Sequence, residues 1–147
     1  MFVCTGNTCR SPMAEGLCRV IAQKVGALEV QATSAGIDAA AGRGASLHAV
    51  TVMREMAIDL SGHRARQFNI EIVQEVDLVL GMTPKHAEQA RAIVGTNVPV
   101  RILGDYAGRD ESVDDPFGGS VEAYRRTADQ IRRLLTEALS RRAAGVK

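Results

Sequence analysis

The chain reads as a three-layer, doubly wound α/β fold, a four-stranded parallel sheet flanked by helices, and three observations predict it. Short apolar runs alternate with segments of helical periodicity along the whole length, the pattern of strands joined by helical crossovers. A glycine-containing turn joins the first apolar run to the first helical segment, where such sheets place their ligands, beyond the strand C-termini. No repeat or compositional break divides the 147 residues, and 46% apolar content suffices for one core without disulfide or metal support. A single domain over residues 1–147 is expected.

Phe2 and Val3 close a first strand, and Ser11-Pro12 opens a helix, because a proline in the first turn gives up no hydrogen bond. From residue 12 to about 25, Met13, Leu17, Val20, Ile21 and Val25 share one face, and Gly26 stops the helix. Residues 28–32 read as the second strand. After a loop at 39–45, Ala49, Val52, Met53 and Met56 recur at helical spacing. The run Val76-Asp77-Leu78-Val79-Leu80 is a short buried strand, followed by a helix over residues 84–94. Residues 98–103 form the fourth strand and 104–112 a loop. A last helix over residues 120–142 carries Val121, Tyr124, Ala128, Ile131, Leu135 and Ala138 as one apolar stripe, with the paired arginines 125–126, 132–133 and 141–142 largely on its solvated side.

A formal net charge of +1 argues against nucleic acid as the main partner. No stretch is long or apolar enough to span a membrane and none reads as a leader, so a reducing cytoplasm is the expected location. Three cysteines crowded at 4, 9 and 18 are no secreted disulfide framework, and His48, His63 and His86 lack metal-ligand spacing. Scattered histidines of this kind read as caps or surface residues, although His48 and His63 fall where loops can border a site.

The chemistry sits at Cys4-Thr5-Gly6-Asn7-Thr8-Cys9-Arg10-Ser11. Placed at a helix N-terminus, this loop offers unpaired N–H groups and the positive end of the helix dipole to an oxyanion, with Gly6 easing the turn. Cysteines in such a setting, beside an arginine, fall to a pKa of roughly 3.5–7.5 and become nucleophiles. Arg10 is placed to close the ring around a tetrahedral anion with its guanidinium fork, and Ser11 to donate to the sulfur. A leaving group needs a proton, and Asp114-Asp115-Pro116-Phe117-Gly118-Gly119 supplies an acid on a constrained turn, Pro116 keeping Asp115 out of a helix. Taken locally, the same turn also reads as an ordinary cap of the last helix.

The loop with Pro12-Met13-Ala14-Glu15 behind it, Ser34-Ala35-Gly36 and Asp115-Pro116 together resemble the low-molecular-weight protein tyrosine phosphatase family over essentially the whole chain. The resemblance implies that Cys4 attacks phosphorus, that Arg10 and the loop from Thr5 to Cys9 hold the phosphoryl group, and that Asp115 protonates the leaving atom and then assists hydrolysis of the phosphocysteine. It implies that Asn7 keeps the loop in its strained shape with Ser34, that Ser11 stabilises the thiolate, and that the enzyme acts without cofactor or metal, as a monomer, on phosphorylated proteins. The family contains tyrosine phosphatases, arsenate reductases and bacterial protein-arginine phosphatases. Arsenate reductases of this kind relay oxidation to late cysteines, and none follows Cys18. Thr8 stands where tyrosine phosphatases usually carry an aliphatic residue, and Phe117-Gly118-Gly119 follows Asp115-Pro116 in place of tyrosines; both features resemble the arginine phosphatases. The strand before Cys4 is shorter than the family usually has, from which a truncated strand or an upstream start, with some loss of stability, is expected.

Chemistry favours the same branch. A phosphorylated guanidinium is planar and rich in N–H donors, so Thr8 and Asp115 offer acceptors and Phe117 a stacking face, where a phosphotyrosine ring wants an apolar wall. A tyrosine phosphatase is the alternative reading, and a silent phosphate-binding module a more distant one. Cys9, in the same loop as Cys4, is also a redox candidate: a Cys4–Cys9 disulfide would protect the nucleophile and make peroxide inactivation reversible. Cys18 reads as packing.

Overall fold

The computed structural model describes residues 1–145. Its elements are β1 (Phe2–Cys4), α1 (Arg10–Val25), β2 (Ser34–Gly36), α2 (Leu47–Glu55), β3 (Val79–Gly81), α3 (Pro84–Val94), β4 (Val100–Ile102), α4 (Leu103–Tyr106) and α5 (Val121–Ala143). All four strands are parallel in the order β2-β1-β3-β4. The chain winds from β1 outward to β2 and, past β1 on its other side, to β3 and β4. The crevice where the winding reverses therefore opens above the C-termini of β1 and β3.

The pleat divides the core. Phe2, Cys4 and Leu80 point to one face, where Met13, Leu17 and Ile21 of α1 pack with Ile131, Leu134 and Leu135 of α5. Val3, Ala35 and Val79 point to the other, against Ala87, Ala90 and Val94 of α3. Each large aliphatic side chain so buried contributes about 1.5–3 kcal/mol, and helices on both faces give the three layers.

Local signals set most helix ends. Ser46, Thr83 and Ser120 cap α2, α3 and α5, each accepting a hydrogen bond from the backbone N–H three residues on. The strands depart more from expectation. Residues 28–32 are not a strand: the chain turns after Gly26, Leu28 is 76% exposed, and β2 forms at Ser34–Gly36 instead. The reason is steric, because β2 runs beneath the loop after β1 and a Cβ on Gly36 would lie 2.6 Å from Thr5 O and 2.9 Å from Asn7 N. Small residues there outrank strand propensity. The third strand starts at Val79, three residues after the apolar run begins, and the fourth narrows to Val100–Ile102. The segment 104–112 is not all loop, since α4 occupies its start. Helix α1 begins at Arg10, two residues before the proline that signals it. As for the first strand, β1 matches its neighbours at three residues and pairs on both sides.

Candidate active site

Residues 4–11 leave β1 and enter α1 with their carbonyls tied outward. Cys4 O accepts from Ile37 N (2.9 Å), Thr5 O from Asp38 N (2.9 Å), Thr8 O from Ser46 N (2.9 Å) and Cys9 O from Met13 N (3.2 Å). Asn7 O lies 2.7 Å from His63 Nε2, and since a carbonyl only accepts, that nitrogen carries the ring proton. The N–H groups of Gly6, Asn7, Thr8 and Cys9 have no acceptor among the described residues. Unpaired donors at the N-terminus of a sixteen-residue helix are the setting in which an anion binds.

Asn7 makes this shape possible. Its φ is 55°, a left-handed conformation that asparagine tolerates better than most residues, and its buried side chain is satisfied at both ends. Nδ2 donates to Ser11 Oγ (2.8 Å) and Ser34 Oγ (3.0 Å), while Oδ1 accepts from Arg66 N (3.0 Å). Ser34 Oγ donates onward to Glu15 Oε1 (3.2 Å), and Arg66 Nε to Ser34 O (2.9 Å). Ser11 Oγ lies 2.9 Å from Cys4 Sγ. The nucleophile candidate thus touches a hydroxyl whose position is set by Asn7.

Arg10 is 5% exposed despite its charge. Nη1 donates to Val113 O (3.2 Å), and Nη2 lies 3.5 Å from Asp115 Oδ2. The guanidinium therefore spans from the anion loop to the turn carrying Asp115. That turn lies open: the Asp115 side chain is 56% exposed, and its Oδ1 accepts only from Phe117 N (3.1 Å) of its own turn. Phe117 is 77% exposed, a free aromatic face beside the cleft acid.

The three cysteines occupy different settings. Cys4 faces Ser11. Cys9 Sγ lies near Thr8 Oγ1 (3.7 Å), Ser46 Oγ (3.5 Å) and Tyr124 OH (3.3 Å). Burial pushes the Cys18 thiol up to about 11, leaving it an inert packing group at neutral pH. Both Cys4 and Cys9 are free thiols.

Three site residues escape a reading by motif. His86, expected as a surface or cap residue, is 4% exposed, with Nε2 2.9 Å from Thr5 Oγ1 and Nδ1 3.1 Å from Thr83 Oγ1. Burial, then the Arg10 charge, pushes it down to about 4, so it is a neutral bridge between the β1 and β3 loops at pH 7. Tyr124, expected only as core, directs its hydroxyl at Cys9 and meets the His48 ring in a T-shaped contact, centroids 5.4 Å apart. Burial raises its ionisation above the ordinary phenol value. Arg66 braces β2 under the loop. A β–Thr-Pro-x-His helix start was the available signal for His86; the other two have none in local sequence. Among the described residues no cluster of His, Cys, Asp or Glu is arranged to hold a metal, and no helix is long and apolar enough to cross a membrane.

The family model "Low molecular weight phosphotyrosine protein phosphatase" matches residues 1–145. The protein-arginine-phosphatase of Bacillus subtilis (strain 168) is 41% identical over 139 residues, 93% of this chain and 91% of that protein. The low molecular weight protein-tyrosine-phosphatase PtpB of Staphylococcus haemolyticus is 37% identical over 134 residues, 91% of this chain and 92% of that one. Among solved structures, a mutant of the YwlE arginine phosphatase with a phosphorylated active site serine superposes with a TM-score of 0.89 at 39% identity, covering 95% of this chain and 92% of that chain.

Proposed function

Because this chain belongs to the low molecular weight phosphotyrosine protein phosphatase family and is a phosphatase, we propose that it hydrolyses phosphoarginine on proteins through a phosphocysteine intermediate. The anion loop, with its unpaired N–H donors and the Arg10 guanidinium, receives the three non-bridging phosphoryl oxygens. Cys4 Sγ attacks phosphorus in line, forming the S–P bond as the P–N bond to the guanidine breaks. Asp115 donates its proton to the departing nitrogen. Water then attacks phosphorus, Asp115 takes its proton, the S–P bond breaks and phosphate leaves with Cys4 restored. Ser11, fixed by Asn7, hydrogen-bonds the sulfur while it carries charge. Cys9 is the neighbouring thiol proposed to trap an oxidised Cys4 reversibly.

The observation that carries the choice of arginine is the pairing of Thr8 with an accessible Asp115 and Phe117. Among the described residues Thr8 Oγ1 has a single hydrogen-bond partner, a weak one in Cys9 Sγ at 3.7 Å, and so keeps acceptor capacity for a substrate N–H. Asp115 supplies a carboxylate for the planar N–H donors and Phe117 a flat face to stack them. A relative of 41% identity bears the name protein-arginine-phosphatase, and one of 37% is named a tyrosine phosphatase, so identity alone does not separate the two substrates.

The test is phosphate release from matched peptides carrying phosphoarginine or phosphotyrosine, with Cys4→Ser as the blank. Wild type is expected to turn over phosphoarginine faster, and Thr8→Ile to lose at least about ten-fold of that preference, one hydrogen-bonding group's part of the roughly 10⁴-fold by which a fully hydrogen-bonding site can reject an analogue. Preference for phosphotyrosine in the wild type, unmoved by Thr8→Ile, would make this a tyrosine phosphatase.

A further inference from the structure

Gln130, half-buried on α5, reaches across to the turn that bears Asp115. Its Oε1 accepts from Asp114 N (3.0 Å), and its Nε2 donates to Ser112 O (2.8 Å) and Glu111 Oε2 (2.8 Å). One carboxamide therefore brackets Val113 on both sides in sequence. Glu111 is held in turn by Arg133, whose Nη1 and Nη2 donate at 2.9 and 2.8 Å. Val113 N donates to Met82 O (2.9 Å) just past β3 and Val113 O accepts from Arg10 of α1, while Thr127 Oγ1, one turn before Gln130 on α5, donates to Asp114 O (3.3 Å). The segment also passes so close to α4 that a Cβ on Gly104 would collide with the Glu111 carbonyl.

Against this, the Asp115 carboxyl holds itself in place weakly. More than half exposed, it has only its own turn and a 3.5 Å approach to Arg10. Its place over the cleft is inherited from the backbone of residues 112–114, and among the described residues Gln130 is the one side chain that bonds both an N–H and a C=O of that stretch. A proton donor must sit within hydrogen-bond reach of the leaving atom, and misplacement by 1 Å is enough to cost about 10²-fold.

We propose that Gln130 is a positioning residue for proton transfer, acting through the backbone on either side of Val113 to aim Asp115 at the leaving group. The proposal rests on the reading of Asp115 as the acid. It implies that Gln130 matters in proportion to how much the leaving group needs a proton, which a merely structural role would not produce.

The experiment compares kcat/KM for phenyl phosphate, whose leaving group needs protonation, with that for p-nitrophenyl phosphate, whose leaving group needs it far less. Wild type, Gln130→Met, Asp115→Asn and the double variant are measured, with circular dichroism melts for each. Gln130→Met fills similar volume and is expected to lose about ten-fold on phenyl phosphate and less than about two-fold on p-nitrophenyl phosphate, a fraction of the roughly 10²–10⁴-fold a general acid supplies. In the Asp115→Asn background the same change is expected to add nothing. Gln130→Asn keeps the donor and acceptor of the carboxamide one methylene shorter and should fall between wild type and Gln130→Met, which keeps the idea testable if the methionine variant folds poorly. Equal losses on both phosphates, or additivity with Asp115→Asn, would overturn the role of Gln130. If Asp115→Asn itself shows no leaving-group dependence, the acid reading falls and the positioning role with it; if Asp115→Asn shows it and Gln130→Met does not, only the positioning role falls.

Discussion

The two loops that face each other across the cleft are built on opposite plans. The anion loop, residues 4–11, is over-determined: most of its carbonyls are bonded away from the site, Asn7 is fully buried and satisfied at both ends, and Cys4, Cys9, Arg10 and Ser11 are all buried. The acid turn is pinned only through its stem at 112–114 and leaves Asp115 and Phe117 in solvent. The difference follows from what each must do. Donors that stabilise a transferring phosphoryl group work best when they need no reorganisation during the reaction. An acid that meets varied protein substrates, and afterwards a water molecule, has to be reachable. On the proposed mechanism, rigid binding and exposed proton transfer fall on different loops, with Arg10 touching both.

The largest effect should come from breaking the open side. Asp115→Asn is expected to lower activity by about 10²–10⁴-fold with the melting temperature unchanged within error, because its carboxylate sits in solvent and carries little of the fold. A drop of several degrees in the melt would mean that the acid turn is structural as well. Breaking the closed side should give the mixed phenotype. Asn7→Ala removes a buried hydrogen-bonding amide and leaves an alanine with φ near 55°, so stability should fall by about 2–4 kcal/mol along with activity. Urea melts that coincide with wild type would show that Asn7 does not hold the loop.

The smallest effect sharpens the contrast by pH. The groups acting on His86 are Arg10 and Lys85, which oppose its protonation, and Asp115, which favours it; burial dominates. Its folded-state value of about 4 lies below the ordinary 6.5, so the native state binds fewer protons than the unfolded chain. Its contribution is thus fully present above pH 6.5 and is lost as pH falls toward 4. By linkage that amounts to about 2–3 kcal/mol. Folding free energy measured at pH 7 and pH 4.5 should differ by less in His86→Asn than in wild type, and equal differences would remove His86 from the loop's support.

The site was largely legible because its chemistry is consecutive. Cys4, Gly6, Asn7, Arg10 and Ser11 lie within eight residues, and their offsets alone call for an anion loop at a helix start. Asp115 could be paired with them only through its proline turn and the family resemblance. His86 reads as a cap or surface residue, Tyr124 as core and Gln130 as an ordinary helix residue, since each sits on an amphipathic helix where a polar or aromatic residue has an ordinary explanation. Their partners are distant: Thr5 and His86 are 81 positions apart, Cys9 and Tyr124 115.

By itself the sequence determined the α/β class, the longer helices and the place of the candidate anion loop, because periodicity, capping residues and a loop motif act over one or two turns of chain. The tertiary structure alone decided that Ser34–Gly36 is the second strand, that His86 bridges two loops, and that Gln130 holds the stem of the acid turn. Those outcomes depend on which backbones come within 3 Å of each other after the sheet has assembled. Steric fit and hydrogen bonding at that range are properties of the packed chain, and they override the weak preferences of short segments.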